Sequence, residues 1–121
     1  MIYVGTDIVK ISRIDHLINK DGIRFLSHIF TEIEQSFCND KMNPSMHYGG
    51  KFAAKEAVKK AILSSDEDNI ILPLNVIEIQ NSKTGVPIVS LKDELKHVFN
   101  IKVSISHIEE YAIAMAIIET K

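Results

Sequence analysis

The sequence predicts one α+β domain, and three observations carry that reading. Lys51 to Ala61 is dense in Ala, Lys and Glu and free of Gly and Pro, which is the composition of a helix. Apolar, β-branched runs recur at 76–80, 86–89 and 102–106, with a longer Ala-rich one at 111–119. The chain has 121 residues, 45% hydrophobic and 25% charged, enough for one real core. No internal repeat, low-complexity tract or linker divides 1–121, so the whole chain reads as a single domain.

The elements follow in order. Ile2 to Val9 is apolar and β-branched and reads as a strand interrupted at Gly5-Thr6-Asp7, with an acid near its end. A helix opens at about Ser12, carries Ile14, Leu17 and Ile18 on one side, and stops between Asn19 and Gly22. A short helix covers Arg24 to Ile29. Thr31-Glu32-Ile33-Glu34 has the Thr-x-x-Glu form of a capping box and starts a third helix. Asn39 to Pro44 is a polar break. The long helix runs from about Ser45 to Leu63. Gly49-Gly50 weakens its first half, at about 1 kcal/mol each against Ala, and allows close approach by another backbone or a ligand. The acidic stretch 64–69 reads as a loop. Strands at 76–80 and 86–89 flank a turn at Asn81 to Gly85, and Leu91 to Phe99 reads as a helix. The last two strands, 102–106 and 111–119, are joined by a hairpin loop at Ser106 to Glu110.

Composition excludes several classes. Net charge is −2, so the bulk field does not suit a polyanion, and no nucleic-acid partner is expected. No run approaches the ~18 apolar residues of a membrane span, and Met1-Ile2-Tyr3-Val4 is a poor signal peptide, so a cytoplasmic setting is expected. Cys38 is the only cysteine, which rules out an intrachain disulfide and a thiolate zinc cluster. Charge is locally uneven. Lys10, Arg13, Lys20 and Arg24 outnumber Asp15 and Asp21, giving either a solvated helix face or a basic surface for an acidic partner.

Three residues stand out chemically. Asp7, set in an apolar strand, is costly to bury unless a metal, a helix N-terminus or an arginine satisfies it. Phe52, Ala53, Ala57 and Ala61 line one helix face, and Glu56 sits near its edge among Lys55, Lys59 and Lys60. Glu56 is therefore either a surface ion-pair former or a ligand. Two acids on different elements, with no His or Cys cluster, suit a hard cation such as Mg²⁺ that also binds substrate phosphates. His107 follows a strand at the mouth of a hairpin loop, exposed in water or reaching a cleft. His16, His28, His47 and His97 show no metal-ligand spacing, and no Walker-type glycine loop is present.

Five motifs in order make the picture more specific. They are Gly5-Thr6-Asp7-Ile8-Val9 with Arg13-Ile14; Phe30-Thr31-x-x-Glu34; Lys51-Phe52-Ala53-Ala54-Lys55-Glu56-Ala57-x-x-Lys60-Ala61; Gly85-x-Pro87; and Val103-Ser104-Ile105-Ser106-His107 with Tyr111-Ala112. Over essentially its full length the chain resembles the holo-acyl-carrier-protein synthase family, the short single-domain 4′-phosphopantetheinyl transferases. The resemblance implies an antiparallel sheet packed against a long central helix and shorter helices. It implies transfer of phosphopantetheine from coenzyme A to a serine of apo acyl carrier protein, with Mg²⁺, releasing adenosine 3′,5′-bisphosphate.

The resemblance also assigns residues. Asp7 and Glu56 fall on the family's metal ligands. Lys60 stabilises the diphosphate and the leaving group, and Lys55 and His107 join it at the nucleotide. Glu56, or a metal-bound water held by Asp7, accepts the serine proton. Arg13, with Lys10, docks the acidic carrier. A homotrimer with active sites between subunits is further implied. One departure is the loop 64–70, acidic and without the glycine usual in relatives. Two rival readings remain, a carrier-binding scaffold that lost transfer and an unrelated Mg²⁺-dependent phosphohydrolase.

Overall fold

The computed structural model describes residues 1–65, 72–92 and 99–121. Its elements are β1 (Ile2–Lys10), α1 (Ile11–Asp21), α2 (Ile23–Ile29), α3 (Glu32–Asn39), α4 (Pro44–Ser64), a 3-10 turn (Leu74–Val76), β2 (Ile77–Asn81), β3 (Pro87–Leu91), β4 (Phe99–His107) and β5 (Tyr111–Thr120). Two antiparallel sheets result, one ordered β1-β5-β4 and one a β2-β3 hairpin. The α+β expectation holds, with the strands divided between two sheets.

Helix α4 crosses one face of the larger sheet, and side-chain size explains how. Alternate residues of a strand share a face. On β5 the inward residues are Ala112, Ala114, Ala116 and Ile118, all buried. On β1 they are Tyr3, Gly5, Asp7 and Val9. Gly5 meets the helix most closely, since a Cβ there would run into the Ala57 carbonyl and the Ala61 nitrogen. Gly5 therefore does not interrupt the strand, as its sequence suggested; β1 runs through it and the glycine admits the helix backbone. From α4, Ala53, Ala54, Ala57, Val58, Ala61 and Ile62 fill the core. Pro44 occupies the first turn of α4, where a missing N–H costs nothing. The glycine pair does not break this helix: Gly49 packs against Ile11 and Gly50 against Ile105.

The Thr31 capping box forms as expected. Its hydroxyl accepts from Glu34 N–H at 3.3 Å, while Glu34 Oε1 accepts from Thr31 N–H at 2.8 Å. Glu34 is fully buried, and its second oxygen accepts from Ile79 N–H at 2.7 Å, tying α3 to β2.

Boundaries shift elsewhere. β2 begins after a 3-10 turn, so Val76 is not in the strand. Leu91 ends β3 and Phe99 begins β4, so neither end of the expected 91–99 helix is helical; the centre of that helix, 93–98, lies outside the described residues, as does most of the acidic loop 64–70. Cys38 is buried, and burial pushes its thiol up to about 12, which suits a core side chain rather than a nucleophile. Among the described residues no helix is long and apolar enough to cross a membrane.

Candidate active site

Two regions gather the polar residues. At the first, Asp7 projects from the helix-facing side of β1, two residues beyond Gly5. The close crossing at Gly5 brings Lys60 of α4 alongside. Lys60 Nζ donates to Asp7 Oδ1 at 3.1 Å and to the Thr6 carbonyl at 3.0 Å. The Lys60 side chain is 53% exposed and that of Asp7 17%, so this ion pair is solvent-screened and worth about 1 kcal/mol at most. It is weak enough to open. Glu56 is half-buried one helical turn before Lys60, which puts it on the same side of α4.

The donor chemistry at this end of the crossing fits a hard divalent ion. Asp7 supplies a carboxylate from β1 beside Lys60, and Glu56 stands on α4 in the turn before that lysine. No group of three or more His, Cys, Asp or Glu capable of holding a metal occurs among the described residues. A soft or transition metal would lack ligands here, whereas Mg²⁺ completes its shell with water and phosphate oxygens.

Lys55 corrects an expectation. The resemblance implies a nucleotide contact here, yet the Lys55 side chain is fully buried. Its ammonium pairs with Glu34 Oε1 at 2.6 Å and donates to the carbonyls of Ile29, Leu74 and Ile77 at 2.9, 3.1 and 2.6 Å. Every donor is spent inside the protein, and none reaches a cofactor surface. Burial lowers its pKa, with Glu34 opposing that shift.

The second region is a cleft of about 340 Å³ between α3, α4, the β2-β3 hairpin and β4. Lys41, His47, Lys51 and His107 line it. Lys51 is buried to its tip, donating to the Ile79 carbonyl at 2.6 Å and to Asn81 Oδ1 at 2.7 Å. The Phe37 ring has both ammonium groups against it, Lys41 at 4.4 Å and Lys51 at 4.6 Å from its centroid. The imidazoles of His47 and His107 stand 6.2 Å apart between centroids. Burial pushes the His47 pKa down, and Lys41, His107 and Lys51 add to that in the same direction. Gly85 and Pro87 form part of the wall, Gly85 with a φ of +87° that only glycine adopts cheaply. Four nitrogen cations or proto-cations around one apolar-floored cleft select an anion, such as a phosphate attached to a flat ring.

Sequence reasoning reached His107 but passed over His47, Lys41 and Phe37. One signal was available: His47 and Lys51 are four apart on α4 and so share a face. His107 ends β4 rather than sitting on the hairpin loop, and its exposed ring turns into this cleft.

Arg13 on α1 and Lys10 at the end of β1 are exposed. Asp15, which would offset them, accepts from Ser45 Oγ at 2.6 Å and Asn19 Nδ2 at 3.3 Å, so its oxygens are engaged.

Comparison with known proteins identifies the family. A family model described as the 4′-phosphopantetheinyl transferase superfamily matches residues 3–116. The holo-acyl-carrier-protein synthase of Protochlamydia amoebophila is 42% identical over 117 residues, covering 94% of each chain. The solved holo-acyl-carrier-protein synthase of Helicobacter pylori, in complex with coenzyme A, superposes with a TM-score of 0.81 at 30% identity, covering 96% of this chain and 99% of that one. The Bacillus anthracis enzyme, in complex with coenzyme A (3′,5′-ADP), gives 0.80 at 28% identity, covering 98% and 96%. On sequence, fold and matched length together, this chain belongs to the 4′-phosphopantetheinyl transferase superfamily, and within it to the holo-acyl-carrier-protein synthases.

Proposed function

We propose that this protein moves 4′-phosphopantetheine from coenzyme A to a serine of an apo acyl carrier protein, with Mg²⁺, and releases adenosine 3′,5′-bisphosphate. The observation that carries the reading is the placement of the Asp7–Lys60 pair, one turn from Glu56, in a chain that also holds a cationic cleft. The relatives named above are synthases of this kind, and two were solved with coenzyme A.

Asp7 and Glu56 would hold the metal. When bound, Mg²⁺ neutralises charge on the coenzyme A diphosphate. Lys60 opens its weak pair with Asp7 and turns its ammonium to the phosphate oxygens, stabilising the negative charge that grows on the leaving bisphosphate. The serine oxygen attacks the phosphorus that carries the pantetheine arm. Its proton passes to a carboxylate oxygen of the acid pair or to a water held there. His107 binds the nucleotide phosphate in the cleft, in the positive field of the buried Lys51 ammonium. Lys55 plays no direct part and instead fixes the helix on which Glu56 and Lys60 ride.

Arg13 and Lys10 form the docking surface for the acidic carrier. The outward face of the larger sheet, with Val4, Ile8, Ile113, Met115 and Ile117 exposed, supports self-association, and the trimer implied by the family resemblance is part of this proposal, as is a cytoplasmic setting.

The test is to incubate the protein with coenzyme A, Mg²⁺ and apo carrier and weigh the carrier. A gain of one phosphopantetheine group is expected, lost in Asp7→Ala and Glu56→Ala while circular dichroism stays native. A stable complex without mass gain would point to the scaffold reading. Coenzyme A consumed with the carrier unchanged would point to hydrolysis.

A further inference from the structure

The cleft contains a pair that the proposed reaction does not use as such. His47, on α4, and His107, at the end of β4, face each other at 6.2 Å. His47 also meets the Phe37 ring at 6.0 Å. The groups that face it from every neighbouring element are cationic or able to become so: Lys41 after α3, Lys51 one turn along α4, and His107 from β4. Cys38 lies behind Lys51 as a neutral thiol. No carboxylate acts on His47 among the described residues.

We infer that His47 is a proton-coupled anion contact, so that the cleft takes up a proton together with the nucleotide phosphate. This rests on the nucleotide reading of the cleft given above. Without a bound anion, partial burial opposes protonation of His47, and two ammonium groups and a second imidazole add to that. A phosphate placed among these groups reverses the local field. It attracts a proton to the imidazole, which then donates N–H to phosphate oxygen as a charge-assisted hydrogen bond. By linkage, a group protonated more in the complex than in the free protein makes binding tighten as pH falls through its range. An imidazole ordinarily titrates near 6.5, so the effect belongs between about pH 8 and pH 6, with a limit of about tenfold in affinity per pH unit for one proton.

The ligand phosphate also titrates in this window, so the contrast is made between proteins with one ligand. Adenosine 3′,5′-bisphosphate is titrated calorimetrically into wild type and His47→Phe at about pH 7, in two buffers of different ionisation heat, which counts protons taken up on binding. Wild type is expected to take up more protons than the variant, and its affinity to rise several-fold more from about pH 8 to pH 6. Because His47→Phe could disturb the packing on Phe37, ring NMR of His47 in the wild-type protein gives a second readout. Its titration is expected to move to higher pH when the nucleotide is added. Binding with equal proton uptake in both proteins, or a His47 titration unmoved by the ligand, overturns the inference and leaves the nucleotide site standing. Absence of binding at every pH overturns the nucleotide reading itself.

Discussion

Lys55 and Lys60 stand five residues apart on one helix and serve opposite ends. Five residues at 100° each turn a side chain well away from its start, so the two ammonium groups cannot share a face. Lys55 goes into the core against Glu34, and Lys60 goes out to Asp7. The periodicity that separates them was present in the sequence. What was not visible was Glu34, a distant acid whose capping role hid a second, buried one. Lys55→Met is expected to destabilise the protein by about 3–5 kcal/mol in urea unfolding, because it strands a buried carboxylate. Adding Glu34→Leu should recover part of that loss. Equal stability of Lys55→Met and wild type would show that the pair carries no structural load. Asp7 and Glu56, by contrast, were legible as odd acids, while the contact of Asp7 with Lys60 needed the helix–strand crossing to become evident.

At the level of elements, the decisive contact is α4 on β1. Gly5→Ala is expected to force the helix off the strand, since a methyl group there meets backbone atoms that cannot swing aside. The outcome is a protein with a melting temperature many degrees lower and little transfer activity, read by calorimetry and by carrier mass. A native melting curve with full turnover would mean that the helix has room to spare. The strand and helix types were mostly readable from periodicity, and the capping box was readable to the residue. The sequence could not show that Gly5 marks a close approach, because a glycine in a strand pattern also fits a bend or a bulge. Nor could it divide the strands into two sheets, which depends on pairing partners far apart in the chain.

For the molecule as a whole, one sheet face is covered by α4 and the other carries exposed Ile and Met side chains on β1 and β5. The run 111–119 is apolar in sequence, but only its pairing shows that Ile113, Met115 and Ile117 face outward while Ala112, Ala114, Ala116 and Ile118 face in. Ile8→Lys with Met115→Lys is expected to yield a monomer by light scattering, against a trimer for wild type. A wild-type monomer at micromolar concentration would remove the self-association proposal. Carrier docking belongs to the same scale. Arg13→Glu is expected to weaken carrier binding about tenfold at low salt and to flatten its salt dependence, measured by surface plasmon resonance across ionic strength. Unchanged affinity at low salt would move the docking surface elsewhere.

The inward alanines of β5 act as a shim. Ala112, Ala114 and Ala116 set how high the long helix rides above the sheet, and that height governs how far a carboxylate rooted in the sheet stands from one rooted in the helix. A single added methylene in this layer need not unfold anything to do damage. If Asp7 and Glu56 hold the metal as proposed, it would widen the gap that one small ion must span, so the least conspicuous side chains in the molecule would set the tolerance of that chemistry.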